Sequence, residues 1–270
     1  MEIKNLANTN LSVIVKCLLQ AFEGYFVKMP ESVDYWRARF RGARVDFGLS
    51  FGVFDDGKLV AFIINGIDEN DGKRTAFNTG TGVIASHRGQ ALVDRLYDFA
   101  LPKFRAAGVK KCMLEVVEGN ARAICVYERI GFHIKRHFLC FKGEIQVNPL
   151  AVRVERLELK TVFEATAATQ HFCALDNCSS GLYIEGTYEA YGVRKNQQFI
   201  GYFIVKPENK NVAQLEASTE NFPYLMAGIQ QVLPEIKVNN VDARRKNYVQ
   251  HLQDFGLVNI INQYEMEWEL

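Results

Sequence analysis

Three polar side chains stand at short spacing in the first half of the sequence: Glu115, Asn120 and Tyr127. The apolar run 112–117 around Glu115 predicts a strand, and the apolar spacing over 121–129 predicts a short helix that carries Tyr127. A positioned carboxylate can accept a proton from a reacting group, and a phenol can donate one, each transfer being worth about 10² to 10⁴ in rate. The spacing therefore predicts a general base and a general acid that face one cleft.

Both residues also have ordinary structural alternatives. A tyrosine on the inner side of a short helix is commonly a core residue, and a strand glutamate commonly faces solvent or pairs with a cation. Water or Glu118 could serve as the base in place of Glu115. Cys125, two residues before Tyr127, is expected in the core rather than as a nucleophile, because the sequence offers it no base partner.

A second stretch with chemical potential leads from a predicted strand into a predicted helix. Residues 75–85 have a strand pattern, and residues 89–107 carry apolar side chains at three- and four-residue steps. The free N–H groups and the dipole at the start of a helix attract a diphosphate. We therefore predict phosphate binding by the loop residues Arg88, Gly89, Gln90, Ala91, Leu92 and Val93.

These residues need a scaffold, and the rest of the first half supplies one. The apolar periodicity changes between helical and strand spacing in the order β-α-α-β-β-β-α-β-α-β, which predicts a mixed α/β sheet. The remaining predicted elements are helices over 11–27 and 31–41 and strands over 51–54, 59–67 and 132–141.

Together these stretches resemble the GNAT superfamily of N-acetyltransferases over residues 1–143. The run Asn120…Ala123…Tyr127-Glu128-Arg129-Ile130-Gly131-Phe132 is similar to the family signature N…A…YExxGF. The loop resembles the family pattern Q/R-x-x-G-x-G/A, although Ala91 replaces its first glycine and Val93 replaces its last small residue.

The resemblance implies an acetyl-CoA-dependent N-acetyltransferase that passes an acetyl group directly to a primary amine. It implies that the cofactor-binding residues include Asn120 and that the pantetheine arm pairs with Thr81, Gly82 and Val83. It also implies that Glu115 is the base and Tyr127 the acid. The expected acceptor is a small molecule or a peptide amine, in contact with the substrate-binding residues Tyr25, Trp36 and Asn78. The alternatives are a non-catalytic acyl-CoA-binding sensor or scaffold and an interaction protein with an inactive fold.

The second half repeats the pattern of the first at an offset of 125 residues, which aligns Gly256-Leu257 with Gly131-Phe132. We predict two tandem copies of the GNAT-like fold, a catalytic domain at 1–145 and a degenerate domain at 150–270 without a cofactor loop. The second copy replaces Tyr127, Asn120 and Glu115 by Leu252, Arg245 and Asn240. It is therefore predicted not to bind acetyl-CoA. We expect it to complete the acceptor cleft or to pair in a homodimer.

Composition narrows the function classes. The 270 residues carry 32 basic and 31 acidic side chains and are 48% hydrophobic, so neither nucleic acid nor an acidic membrane is an expected partner. The six cysteines are scattered without the spacing of a metal site, which predicts reduced thiols and no metal. The start of the sequence lacks the pattern of a signal peptide, and a cytoplasmic protein is expected.

Overall fold

The structure is a computed structural model that describes residues 1–166 and 172–270. Local hydrophobic periodicity and turn residues divide these residues into alternating strands and helices. In chain order the elements are β1 (Glu2–Asn5), α1 (Leu11–Ala21), α2 (Val33–Gly42), β2 (Phe51–Asp55), β3 (Lys58–Asn70), β4 (Lys73–Val83), α3 (Leu92–Ala106), β5 (Lys111–Val117), α4 (Ala121–Ile130), β6 (His133–Glu144), β7 (Arg153–Leu157), α5 (Leu159–Ala165), α6 (Ser179–Glu185), β8 (Glu189–Lys195), β9 (Gln198–Lys206), β10 (Asn211–Ala217), α7 (Phe222–Val232), β11 (Glu235–Asp242), α8 (Lys246–Asp254) and β12 (Val258–Glu269).

The chain forms two compact units that are not continuous in sequence. Unit 1 comprises Met1–Val116, Asn120–Lys135 and Glu265–Leu270, and unit 2 comprises Val117–Gly119 and Arg136–Tyr264. The last six residues of the chain thus belong to unit 1. The boundaries 1–145 and 150–270 follow the sequence repeat and stay a prediction.

The sheet of unit 1 runs in the order β1-β2-β3-β4-β5. Its first four strands pair antiparallel, and β5 pairs parallel to β4. Asp56 and Gly57 both have positive φ in the turn between β2 and β3, as the tight hairpins that follow the twist of a sheet require. Asp71 and Gly72 do the same between β3 and β4. Short polar turns therefore fix the register of the three strands that lead to the predicted loop.

Helices cover both faces of this sheet. Phe51 packs its ring against Phe99 and Phe104 of α3. A side chain at the next residue, Gly52, would instead meet Leu6, which lies in the apolar cluster of α1 and α2. Because side chains alternate along a strand, α3 and the pair α1–α2 lie on opposite faces.

The first helix is shorter than its apolar pattern predicts. Asn10 caps α1 by accepting from the N–H of Ser12 at 3.0 Å, and the helix ends at Ala21 rather than at residue 27. Gly24 has φ +72°, and the ring of Tyr25 packs edge-on against Phe22 and Phe26. Local aromatic contacts therefore replace the last predicted turns of helix.

In unit 2 the strands run in the order β6-β11-β10-β9-β8-β7, and α7 and α8 contribute to a large apolar cluster with the sheet. The strands β10 and β11 are parallel, with one register pair, Asn211↔Lys237. The pairs β6–β11, β9–β10, β8–β9 and β7–β8 are antiparallel. Unit 2 therefore has its own core and its own pair of parallel strands that part soon after they begin.

The last helix and the last strand of the two halves repeat one another at the predicted offset. α4 and α8 begin 125 residues apart, and β6 and β12 both begin and end 125 residues apart. Gly131 and Gly256, which follow the two helices, both have positive φ. The predicted fold class, two tandem copies of a mixed α/β fold, is confirmed. The predicted order includes a first strand without bounds, and the structure places it at Glu2–Asn5. The sequence patterns missed β7, β8, β10, α5 and α6.

Candidate active site

The strands β4 and β5 diverge in the middle of unit 1. Their parallel register ends at the pair Asn78↔Leu114, although β4 continues to Val83 and β5 continues past Leu114. A register shift between β3 and β4 leaves Thr79 as an extra residue, and such bulges bend a strand. The end of β4 therefore turns one backbone edge toward an opening between the strands, where an extended ligand can pair with it.

Tyr127 on α4 belongs to this opening through its contact with β4. The side chain is 8% exposed, and its ring packs against Phe132 with centroids 5.8 Å apart. Burial raises the pKa of the phenol to about 12, and a hydrogen bond with Thr81 opposes part of that rise. The phenol is therefore a neutral proton donor at every ordinary pH, held at the end of β4.

A chain of polar side chains continues from Thr81 into the core. The Thr81 hydroxyl donates to Oδ1 of Asn78 at 3.1 Å, and the Gly80 N–H donates to the same oxygen at 3.1 Å. Nδ2 of Asn78 donates to the hydroxyl of Tyr97 at 3.0 Å. Because both ends of this buried amide are engaged within the protein, Asn78 has the geometry of a residue that orients its neighbours. Its predicted contact with the acceptor stays a prediction.

Glu115 follows Leu114, the last residue of β5 that pairs with β4. Its side chain is partly buried, and strand alternation turns it to the face opposite Cys112, which lies near Tyr97. Its role as the base stays a prediction.

Glu118, the alternative base, belongs to unit 2. Its carboxylate accepts from Nδ2 of Asn262 and from the hydroxyl of Tyr264, both at 2.9 Å. These two hydrogen bonds, with His137 nearby, lower the pKa of Glu118. A carboxylate held in its charged form by neighbouring donors is a poor proton acceptor.

The predicted phosphate loop has a different backbone from the expected one. The helix begins at Leu92 instead of residue 89, because Gly89 (φ +80°) and Ala91 (φ +51°) have left-handed backbones. Among the residues that the structure describes, the N–H groups from Gly89 to Val93 donate to no backbone carbonyl. Unsatisfied N–H groups in left-handed turns and at a helix start form anion-binding concavities. The loop therefore fits a diphosphate.

The loop side chains serve mostly to hold it in place. Nε of Arg88 donates to the carbonyl of Val83 at 3.2 Å, and Nη2 donates to the carbonyl of Ala21 at 3.0 Å. Leu92 is 2% exposed and anchors the helix, whereas Gln90 is exposed. Contacts to a phosphate are thus expected from backbone N–H groups, and the cofactor-binding role of these residues stays a prediction.

Gly82 lets β4 lie close against its neighbours. A Cβ at this residue would lie 2.6 Å from Cζ of Phe62 and 2.7 Å from Cβ of Ala21. Only glycine fits that space without a shift of the surrounding atoms. The glycine thus has a packing reason in addition to its predicted contact with the cofactor.

Tyr25 and Asn120 meet beside Tyr127. Asn120 caps α4 by accepting from the N–H of Ala123 at 3.3 Å, and it is hydrogen-bonded to the phenol of Tyr25. Partial burial raises the pKa of Tyr25, whose phenol also lies close enough to influence that of Tyr127. The predicted substrate residue Tyr25 is therefore brought together with the predicted acid.

Trp36 is a buried residue of α2. Its indole is 7% exposed, and its N–H donates to the carbonyl of Pro30 at 2.8 Å. The ring packs near Phe40 in the cluster that holds α1 and α2. Trp36 thereby supports the loop that carries Tyr25, and its own substrate contact stays a prediction.

The thiols of unit 1 have two different environments. Cys17 and Cys112 are buried, and burial raises the pKa of each to about 12. Cys125 is exposed on α4, so its expected place in the core is wrong. The short helix turns Tyr127 inward, and a residue two positions earlier points away from that face.

Sequence reasoning missed an ion pair beside the loop. Arg129 near the end of α4 donates from Nε and Nη2 to the two carboxylate oxygens of Asp94, each at 2.8 Å. Asp94 lies in the first turn of α3. The signals were an acidic residue at a helix start and a basic residue inside the YERIGF run.

Over residues 1–166 and 172–270, no helix is long and apolar enough to cross a membrane. In the same described part of the chain, no group of three or more histidine, cysteine or acidic side chains could hold a metal ion.

Comparisons with known proteins match this geometry. Residues 15–132 match the model of the Acetyltransferase (GNAT) family. No curated protein is significantly similar to the chain in sequence.

Solved structures resemble the chain over nearly its whole length. A tandem GNAT protein from the clavulanic acid biosynthesis pathway has a TM-score of 0.70 and 12% identity, with 99% of this chain and 98% of that chain covered. A Pyrococcus horikoshii protein provisionally named an acetyltransferase has a TM-score of 0.70 and 13% identity, with coverages of 100% and 89%. A GCN5-related glucosamine N-acetyltransferase region of a fungal multi-domain β-N-acetylglucosaminidase has a TM-score of 0.72 and 14% identity, with coverages of 99% and 38%.

At these identities the structural likeness is one of fold. The family match adds the residues of the first repeat that carry the opening, the loop and Tyr127. The chain therefore contains a domain of the acetyltransferase (GNAT) family at residues 15–132, within the fold of tandem GNAT proteins.

Proposed function

We propose that this protein is an acetyl-CoA-dependent N-acetyltransferase that transfers an acetyl group directly to a primary amine in unit 1. The observation that carries the proposal is the buried Tyr127 phenol, hydrogen-bonded to Thr81 where β4 and β5 part. A sensor that only bound the cosubstrate would need no proton donor at that place.

The proposed roles divide the site into three parts. The N–H groups from Gly89 to Val93 bind the diphosphate of acetyl-CoA, and the free edge of β4 near Thr81 pairs with its pantetheine arm. Acetyl-CoA supplies a thioester, whose carbonyl carbon bonds to the amine nitrogen while the carbon–sulfur bond breaks. Glu115 takes the proton that the amine loses, directly or through water, and Tyr127 gives a proton to the sulfur.

Positioning supplies the rest of the rate. Direct transfer needs the amine and the thioester to be held in contact, and such orientation is worth several orders of magnitude. Tyr25 lies beside Asn120 and Tyr127 and is the residue best placed to contact the acceptor. The acceptor is a primary amine of a small molecule or of a peptide.

Unit 2 is proposed to be a degenerate repeat that does not bind acetyl-CoA. Its residues equivalent to Asn120 and Tyr127 are Arg245 and Leu252. Arg245 pairs with Glu216 at 2.7 Å, and its guanidinium lies 4.0 Å from the ring centre of Tyr248. These side chains line the cleft of unit 2.

The test is release of CoA with a panel of primary amines, with mass spectrometry of the products. Wild-type protein is expected to acetylate at least one amine, and Tyr127→Phe is expected to lower kcat by about 10²-fold with little change in acetyl-CoA affinity. Tyr183→Phe, at an exposed tyrosine of unit 2, is the matched control and should leave kcat unchanged.

Two results would contradict the proposal. Binding of acetyl-CoA without turnover of any amine would favour the sensor. Equal loss of affinity and kcat in Tyr127→Phe would assign Tyr127 to packing rather than to proton transfer.

A further inference from the structure

The ion pair of Arg129 and Asp94 joins the two helices that frame the proposed site. Asp94 is the third residue of α3, in the turn whose N–H groups are proposed to hold the diphosphate. Arg129 comes two residues after Tyr127, and both of its hydrogen bonds to Asp94 are 2.8 Å long. Bidentate guanidinium–carboxylate pairs are among the strongest and most directional of polar contacts.

The carboxylate of Asp94 poses an electrostatic problem for cosubstrate binding. A negative side chain in the first turn favours the helix itself, because it complements the helix dipole. The same charge would repel a diphosphate at that turn, since the two groups would lie within a Debye length of about 8 Å at physiological salt. A neighbouring cation neutralises the carboxylate and so removes the repulsion, while Asp94 stays in the first turn of the helix.

We propose that Arg129 is a positioning residue for the cosubstrate: it neutralises Asp94 and fixes the first turn of α3 against α4, so that the turn can accept a diphosphate. The inference rests on the proposed function. Arg129, the arginine of the YERIGF run, thus affects the affinity for acetyl-CoA through Asp94. It does not contact the reacting atoms.

The test compares two acetyl donors across four variants. S-acetylpantetheine has the thioester and the pantetheine arm of acetyl-CoA but no diphosphate. Arg129→Ala is expected to raise the KM for acetyl-CoA about three- to tenfold, with kcat within twofold of wild type. The KM for S-acetylpantetheine should not change. Asp94→Asn, placed in the Arg129→Ala background, should restore the KM for acetyl-CoA to within about twofold of wild type.

Two further variants serve as controls. Arg105→Ala removes the same charge from the opposite end of α3, and it should leave both KM values unchanged. Arg129→Lys keeps the charge but loses the bidentate geometry, and it should lie between wild type and Arg129→Ala. Melting temperatures of all variants separate an effect on affinity from a general loss of structure.

An Arg129→Ala effect that is equal for both donors, or that Asp94→Asn fails to rescue, would overturn the inference. Calorimetric titration with CoA separates this failure from that of the proposed function. If wild type binds CoA but turns over no amine, the proposed function fails, and the same variant series in Kd still decides the role of Arg129. If wild type binds no CoA, both are wrong.

Discussion

The phenol of Tyr127 is hydrogen-bonded to Thr81, whose hydroxyl also donates to Asn78 at 3.1 Å. The strand that carries Thr81 is the one whose free edge is proposed to pair with pantetheine. The orientation of the proton donor and the path of the cosubstrate therefore depend on one short segment of β4.

Thr81→Val removes the hydroxyl and keeps the branched shape of the side chain. One hydrogen bond is worth about 0.5 to 1.5 kcal/mol, so we expect kcat to fall about three- to tenfold. The KM for acetyl-CoA should change less than twofold, because pairing with β4 uses the backbone. Steady-state kinetics with both substrates test this, and a fall in affinity without a fall in kcat would contradict it.

Deprotonation of Tyr127 should not lower kcat at any pH below about 11. Burial raises the pKa of this phenol to about 12, and a general acid is active in its protonated form, which persists until the pH approaches that pKa. An alkaline limb near pH 10 that disappears in Tyr127→Phe would contradict the raised pKa.

Ala91 has a backbone conformation that suits glycine, the residue expected at this place in the family pattern. The left-handed region costs a residue with a Cβ about 1 to 2 kcal/mol, and the gain from glycine is reduced by its greater freedom in the unfolded chain. Ala91→Gly should therefore raise the melting temperature by about 1 to 3 °C. The KM for acetyl-CoA should stay within about threefold, because the free N–H groups remain.

Gly89→Ala is the reverse substitution, from glycine to alanine, at the other loop residue with positive φ. A Cβ at Gly89 would meet no atom within 4 Å, so its effect is confined to the backbone strain at φ +80°. The melting temperature should fall by about 2 to 4 °C. Stabilisation by Gly89→Ala, or destabilisation by Ala91→Gly, would show that the loop is not held in this conformation in solution.

Much of the scaffold was predictable because its periodicity is strong. The helix α4 was predicted to within one residue of its observed bounds and β6 to within a few residues, since helical and alternating apolar patterns are clear there. The start of α3 was wrong because a helical apolar pattern cannot report the positive φ of Gly89 and Ala91. The end of α1 was wrong because the aromatic residues after Ala21 continue the pattern but pack on one another.

The candidate site also has features that the sequence predicts and features that it does not. Tyr127, Asn120 and the loop were predicted from residue type and spacing, which are local. The polar chain through Asn78 and Tyr97 joins β4 to α3, and the pair of Arg129 and Asp94 joins α4 to α3. Such pairings depend on which elements pack together, and residue types alone, such as an acidic residue at a helix start and a basic residue inside the YERIGF run, do not say which residues pair.

Catalysis should not pass through a cysteine. Cys125 is the exposed thiol near Tyr127, and Cys112 is buried with its pKa raised to about 12. Cys125→Ala should leave kcat within about twofold of wild type, and mass spectrometry of the protein with acetyl-CoA alone should show no acetylated cysteine. Accumulation of an acetylated protein that then acetylates the amine would contradict direct transfer.

Acetyl-CoA should bind once per chain, in unit 1. Val93→Asp and Pro223→Asp place a carboxylate at the second residue of α3 and of α7, the helices that follow the free edges of β4 and β10. Repulsion of the diphosphate should weaken binding at least tenfold for Val93→Asp, whereas Pro223→Asp should leave the Kd unchanged. The cleft of unit 2 already holds Arg245 paired with Glu216, and the second residue of its helix α7 is a proline, which lacks an N–H. Isothermal titration measures both the stoichiometry and the Kd. A stoichiometry near two, or a loss of one of two binding events in Pro223→Asp, would show that the second repeat keeps a cosubstrate site.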